Sequence, residues 1–270
     1  MKKILYIILF IFVLTSSTHG SGADSNTYSS GNESQSVSQS LFGLNDDYET
    51  PYYILHGRKT TPVILVQGGM HGDEIASYMA CDEILKNIKI TEGTLVIIPR
   101  LNKRACDLNT RYINVDLNHA FPGDIDSEVY EYRLAYEMMY MVDSLKPDLV
   151  INLHEALTKY DSEAANNSEK AFGQVVITCI QPFEEMLTDA VTNMNEKITA
   201  ENQKFHPHYY SFSDWSSLDN FVSKFDIKSY TVETYRGFNI DTRIKLQQIA
   251  VLQFMKELGI KFDYPEIPLD

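Results

Sequence analysis

Residues 62–74 read PVILVQGGMHGDE. The first six are apolar and β-branched up to Gln67, as expected of a strand covered on both faces. Two glycines break the run. His71 and Glu74 then stand three residues apart where a helical pattern begins. Such a segment reads as a metal-binding pair, a phosphate-binding glycine loop or a tight turn. The glycine-loop reading fails on spacing, because a dinucleotide fingerprint needs Gly-x-Gly-x-x-Gly, and Gly68, Gly69 and Gly72 do not supply it. The chain also lacks a Walker lysine and a Gly-x-Ser-x-Gly elbow. Nucleotide binding and serine hydrolysis therefore rank low.

Outward from this segment, TLVIIP (94–99), DLVINL (148–153), QVVITC (174–179) and SYTVET (229–234) repeat the strand signature. Helical patterns lie between them. Tyr78, Cys81, Leu85 and Ile88 share one stripe, and Val129, Tyr132, Tyr136 and Met139 share another. Asp241 is expected to cap a last helix that stops at Gly259. The alternation predicts an α/β sandwich on a mostly parallel sheet, with its site at the carboxyl ends of strands.

At a spacing of three, His71 and Glu74 share one helical face and reach one ion. A catalytic zinc takes three protein ligands and keeps one open position. His154, placed at the end of the 148–153 strand, is the candidate third ligand. Two imidazoles and a carboxylate suit zinc rather than calcium or magnesium. Zinc hydrolysis also needs a base, and Glu233 stands in an otherwise apolar strand, where a carboxylate is costly unless it is paired or used. In PRLNKRACDLNTRYINVDLNHAFPG (99–123), Arg100, Lys103, Arg104 and Arg111 concentrate positive charge. Such a cluster suggests a local anionic group, either a substrate carboxylate or a developing oxyanion. Arg100 and Lys103 read as a solvated loop. His206 and His208 in FHPHYYSFSDWSS (205–217) read as a pocket-edge or surface loop rather than a second metal pair. Tyr209, Tyr210 and Tyr235 are candidate substrate contacts.

A chain of 270 residues with a net charge of -14 excludes a general nucleic-acid binder and a polybasic membrane surface. Cys81, Cys106 and Cys179 are too few for a disulfide framework. Lys2 and Lys3 precede ILYIILFIFVL and then small residues, the layout of a secretory signal. That core is short of the roughly 20 residues of a spanning helix. Residues 1–20 are therefore expected to be a signal peptide and the protein exported, with an uncleaved amino-terminal anchor as the alternative and the one route to a membrane. Residues 21–46, rich in Ser, Gly and Asn, are expected to form a flexible linker. Residues 47–270 are expected to form one hydrolase domain.

Together these segments resemble the zinc carboxypeptidase superfamily, and within it the succinylglutamate desuccinylase/aspartoacylase branch. GGMHGDE resembles that branch's Gly-x-His-Gly-Asn-Glu metal segment. NTRYINVDLNHAFPG resembles its Arg…Asp-Leu-Asn-Arg-x-Phe segment. NLHEA resembles the strand of the third ligand, and TVET the strand of the catalytic glutamate. The resemblance implies a three-layer α/β/α sandwich with a mostly parallel mixed sheet. It implies one zinc ion per chain on His71, Glu74 and His154. Glu233 would activate water, and Arg111 would polarise the scissile carbonyl and steady the oxyanion. Asn118 and the neighbouring His119 would meet a substrate carboxylate, and Asp116 would brace the loop from behind the ligands. The implied substrate is a small peptide or an N-acyl amino acid.

Two departures bear on the substrate. His119 stands where the branch has arginine, and histidine lacks arginine's two-pronged fork. Carboxylate recognition is then weakened, made pH-dependent, or moved to Arg104 or Arg236. The chain also ends soon after Glu233, so the branch's additional carboxyl-terminal domain is expected to be absent. Three readings stay open: a carboxypeptidase-like hydrolase, an N-acyl amino acid deacylase, and a non-catalytic zinc-binding module on the same fold.

Overall fold

The computed structural model describes residues 35–167, 171–210 and 217–269. The expected signal segment and the first part of the expected linker lie outside them. The strands are β1 (Ser36–Phe42), β2 (Thr50–His56), β3 (Val63–Gln67), β4 (Lys89–Glu92), β5 (Thr94–Ile98), β6 (Leu149–Ala156), β7 (Val175–Thr178), β8 (His206–Tyr209), β9 (Lys228–Tyr235) and β10 (Lys261–Asp263). The α-helices are α1 (Ile75–Asn87), α2 (Lys103–Asp107), α3 (Tyr130–Leu145), α4 (Ser162–Asn167), α5 (Glu185–Asn195), α6 (Leu218–Ser223) and α7 (Ile240–Glu257).

Eight strands form one sheet in the order β1-β2-β5-β3-β6-β9-β7-β8, and β4 pairs with β10 separately. The central strands β5, β3, β6 and β9 run parallel, with antiparallel β1 and β2 at one side and an antiparallel β9–β7 pairing at the other. Alternation along each strand sends side chains to two cores. Ile64, Val66, Ile151, Leu153 and Val232 face α1, α5 and α7, whereas Leu65, Val96 and Val150 face α3 and α6. The fold is therefore a three-layer α/β/α sandwich on a mixed, mostly parallel sheet. β3 has β5 on one side and β6 on the other. Such a reversal of strand order opens a crevice at the carboxyl ends of the strands.

Several elements differ from the sequence expectation. β1 lies inside the segment expected to be linker, ahead of Asp47, where a seven-residue ladder with β2 holds it in place. Five of its side chains are exposed, so no apolar pattern announces it. β6 runs two residues beyond His154, to Ala156. The buried face of α1 is Ala76, Ser77, Ala80, Cys81 and Ile84 rather than the Tyr78 stripe. Tyr78 instead lies under the Arg100 guanidinium. In α3, Leu134, Met138 and Val142 are buried and Tyr136 is exposed. The cap of α7 is Asn239, whose side chain accepts from the Thr242 N–H, and not Asp241.

Candidate metal centre

Each expected ligand sits where a strand of the parallel core gives out. β3 ends at Gln67, and the chain turns through Gly68 and Gly69 before reaching His71. Gly69 is in the left-handed region at φ +65°. Gly72 lies so close to the Ala105 backbone that a Cβ would stand 2.1 Å from its carbonyl carbon. This close approach seats the turn on α2. Glu74 is the residue before α1, and His154 stands on the neighbouring strand β6.

The three side chains meet. His71 Nδ1 is 2.8 Å from one Glu74 carboxylate oxygen and His154 Nδ1 is 2.9 Å from the other. One ligand atom from each residue lies within 4.8 Å of the others, and all three residues are buried. Among the described residues no other His, Cys, Asp or Glu side chains form such a group of three. A tetrahedral ion with bonds of about 2.1 Å sets its ligands about 3.4 Å apart. A separation of this size is reached by opening the observed contacts by roughly half an ångström. The donor chemistry, two imidazoles and a carboxylate in a buried site, suits zinc.

Asp116 supports the group from outside. It lies 3.0 Å from His71 Nε2, accepts from Arg111 Nε at 3.1 Å, and accepts the Asn118 N–H. A carboxylate on the far nitrogen of a ligating histidine fixes its tautomer and orientation. The bracing role expected for Asp116 thus has a definite contact. Arg111, about half exposed, also reaches Glu74 at 3.3 Å.

Charge in the group is tightly shared. Burial pushes His71 down, but the Glu74 charge and the Asp116 hydrogen bond outweigh it and raise His71 to about 9. Burial pushes Glu74 up, and the two histidines overcome that to hold it well below the usual carboxylate range. Asp116 is likewise held low, since His71 and Arg111 outweigh its burial.

Glu233 lies opposite His154 in the β6–β9 ladder, on the same face. Its Oε2 is shut off from solvent and has no hydrogen-bond partner among the described residues. Burial and the Glu74 charge drive its pKa well above the ordinary value, against His71 and Arg111. Asn118, in a short 3₁₀ turn capped by Asp116, also buries an unpartnered Oδ1. His119 follows it at an exposed position, beside a cavity of about 400 Å³ that it lines with Phe121, Asp124 and Tyr132.

The remaining candidates are engaged elsewhere. Arg100 pairs with Asp82, Lys103 with Asp107 and Arg104 with Asp47. Arg236 pairs with Asp73, inside the metal segment between His71 and Glu74. The segment expected as a loop at 205–217 begins as strand β8, and its residues 211–216 lie outside the described ones. There His206 and His208 flank the ring of Tyr160, and Tyr210 packs edge-on against Phe172. Tyr235 packs edge-on against Phe238.

Two supports escaped sequence reasoning. Glu155, next to His154, is buried, accepts the Ala76 N–H and pairs with Arg243 of α7 at 2.5 Å. Its own N–H donates to Glu74. Gln247 of α7 donates to the His154 carbonyl and to Thr234. The signal was present for Glu155 as a charge inside an apolar run. Nothing local marks the α7 partners.

The family model for the succinylglutamate desuccinylase/aspartoacylase catalytic domain matches residues 60–234. No curated protein matches the chain. Among solved structures, the chain is similar to the mDAP-bound form of Helicobacter pylori Csd4, a D,L-carboxypeptidase, with 17% identity and a TM-score of 0.71. That match covers 78% of this chain and 56% of Csd4, so the chain spans little more than half of that structure's length. It is also similar to a succinylglutamate desuccinylase from Silicibacter sp. TM1040, with 17% identity, a TM-score of 0.62, and 90% and 74% of the two chains covered. A third match is an aspartoacylase family protein from Mesorhizobium loti, at 17% identity and a TM-score of 0.60, over 86% of this chain and 72% of that one. At these identities the structures speak for the fold. The family match covers most of the folded region, and it closes on the segment that carries Glu233: the chain belongs to the succinylglutamate desuccinylase/aspartoacylase family of hydrolases and carries its catalytic domain.

Proposed function

We propose that this protein is an exported zinc-dependent hydrolase that cleaves an amide bond in a small peptide or an N-acyl amino acid. One observation carries the reading: a buried His71–Glu74–His154 group faces an unpartnered Glu233 carboxylate one rung across the ladder. Zinc held by those three residues would supply Lewis acidity toward water and toward a carbonyl oxygen. Glu233 takes the proton from the attacking water and returns it to the leaving amine. Arg111, held by Asp116, presents positive charge where the oxyanion develops. Asn118, whose N–H donates to the same Asp116, and His119 after it are assigned to a substrate carboxylate. A non-catalytic module has no use for a half-buried carboxylate whose inner oxygen lacks a partner, which argues for turnover. The amino-terminal signal pattern is the ground for export.

The peptide and N-acyl amino acid readings differ in which side of the scissile bond is recognised. Mass spectrometry of products from a mixed library of peptides and acyl-amino acids separates them. Release of neither a free amino acid nor a free acid by the metal-loaded chain overturns the hydrolase reading. Glu233→Gln is expected to retain stoichiometric zinc and lose about 10²–10⁴ in turnover. Metal analysis beside initial rates checks both, and an unchanged rate removes Glu233 from the mechanism.

A further inference from the structure

The segment GGMHGDE carries aspartate at position 73, where the motif it resembles carries asparagine. The two side chains have the same shape, but aspartate brings a charge. That charge stands between the candidate ligands His71 and Glu74, and two arginines act on it. Arg236 follows Glu233 by three residues, just past the end of β9, and its N–H donates to the Ala156 carbonyl at 2.9 Å. Its guanidinium reaches the metal segment. Nη1 donates to Asp73 Oδ2 at 3.1 Å, and Nη2 donates to the Asp73 carbonyl. The side chain is 20% exposed. With both terminal nitrogens on Asp73, Arg236 has no fork to offer a substrate carboxylate.

The second arginine is Arg111, the residue assigned to the oxyanion. Its carbonyl accepts the Gly72 N–H at 3.3 Å, so its backbone lies against the residue before Asp73. Nε donates to Asp116 and Nη1 to Glu74, and Nη2 has no partner among the described residues. Burial opposes the Arg111 charge, but Glu74, Asp116 and Asp73 outweigh it and raise its pKa. The field of Asp73 therefore already reaches this guanidinium. Asp73 Oδ1 is buried without a partner. An unpaired carboxylate oxygen is costly to bury, so an Asp73 released by Arg236 would turn to the open nitrogen of Arg111. That contact would neutralise the charge on which the oxyanion depends.

We propose that Arg236 is a positioning residue that holds the Asp73 carboxylate off Arg111 and so keeps the Nη2 edge of that guanidinium for the substrate. The same contacts tie the turn of His71 and Glu74 to the strand of Glu233. This rests on the hydrolase reading, which gives Arg111 an oxyanion to meet.

The test uses the zinc-loaded full chain and a library substrate that it hydrolyses. Arg236→Met is expected to keep stoichiometric zinc and to lose at least tenfold in kcat at an unchanged KM, the range of one charge-assisted hydrogen bond. Loss of an interaction made only in the transition state reads that way. Adding Asp73→Asn, which removes the charge and keeps the shape, is expected to restore kcat to within about threefold of the wild-type chain. A loss of packing alone would not be rescued at Asp73. A crystal structure of the Arg236→Met chain is expected to show Asp73 on Arg111, a readout that needs no turnover. Arg236→Lys keeps the charge without the fork. It is expected to fall severalfold and to recover likewise, and it decides the matter if the methionine variant does not fold. A full rate in Arg236→Met, a loss that Asp73→Asn does not restore, or an Asp73 that stays clear of Arg111 in the variant structure overturns the proposal. If the wild-type chain hydrolyses nothing in the library, the hydrolase reading falls, and the variant structure alone decides whether Arg236 holds Asp73 off Arg111.

Discussion

His71 carries two carboxylate contacts, one on each ring nitrogen, and together they hold its proton tightly. Its pKa in the metal-free chain is about 9, above the unfolded value of about 6.5. The stability it contributes to the metal-free fold is therefore complete below pH 6.5 and lost as pH rises through about 9. Zinc must displace that proton. Apparent zinc affinity is thus expected to rise about tenfold per pH unit from neutrality and to level off near pH 9. Competition titrations against a chelator across this range check it, and a flat profile refutes it. Asp116→Asn removes one carboxylate. It is expected to weaken zinc by about 10–100-fold and to end the rise at lower pH. The meeting of His71, Glu74 and His154 was legible from sequence, because His154, like Glu233, interrupts an apolar strand and His71 and Glu74 follow one closely. Glu155 was passed over although it interrupts the same apolar run, and nothing local marks Arg243 and Gln247 of α7 as supports.

At the level of elements, apolar runs marked the five strands that carry the core, and the site followed from where those runs end. The outer strands β1 and β8, β2 next to the edge, and β10 of the small sheet were invisible because backbone ladders hold them and their side chains are largely exposed or half buried. Helix faces were misread where tyrosine counted as apolar. Tyr78 and Tyr136 lie at the rims of α1 and α3, where a ring can be half wet. The start of α7 shows a subtler failure. Asp241 and Asn239 are both good caps, but only Asn239 has the extended backbone that puts its side chain on a free N–H. Asn239→Ala is expected to cost about 1 kcal/mol, a fall in Tm of roughly 2–4 °C. Asp241→Ala is expected to change Tm by less. Parallel thermal melts check the pair, and the opposite order would return the cap to Asp241.

Across the whole molecule, the centre is tied to both neighbouring layers. Asp116 reaches it from the loop ahead of α3, and the Glu155–Arg243 pair links β6 to α7 while Glu155 also caps the Ala76 N–H. Burial drives Glu155 upward in spite of Arg243. Arg243→Met strands that carboxylate and is expected to cost about 3–5 kcal/mol, a Tm lower by on the order of 10 °C. Calorimetry checks this, and an unchanged Tm would show that the pair carries no net stability. The order of the parts along the chain has one more consequence. His71, Glu74, Asp116 and His154 all precede residue 157, and β3 and β6 pair directly. Glu233 comes nearly 80 residues after His154. A nascent polypeptide thus completes the proposed ligand set before the proposed base has been synthesised, so capture and use of an ion there would be separable in time as well as by mutation.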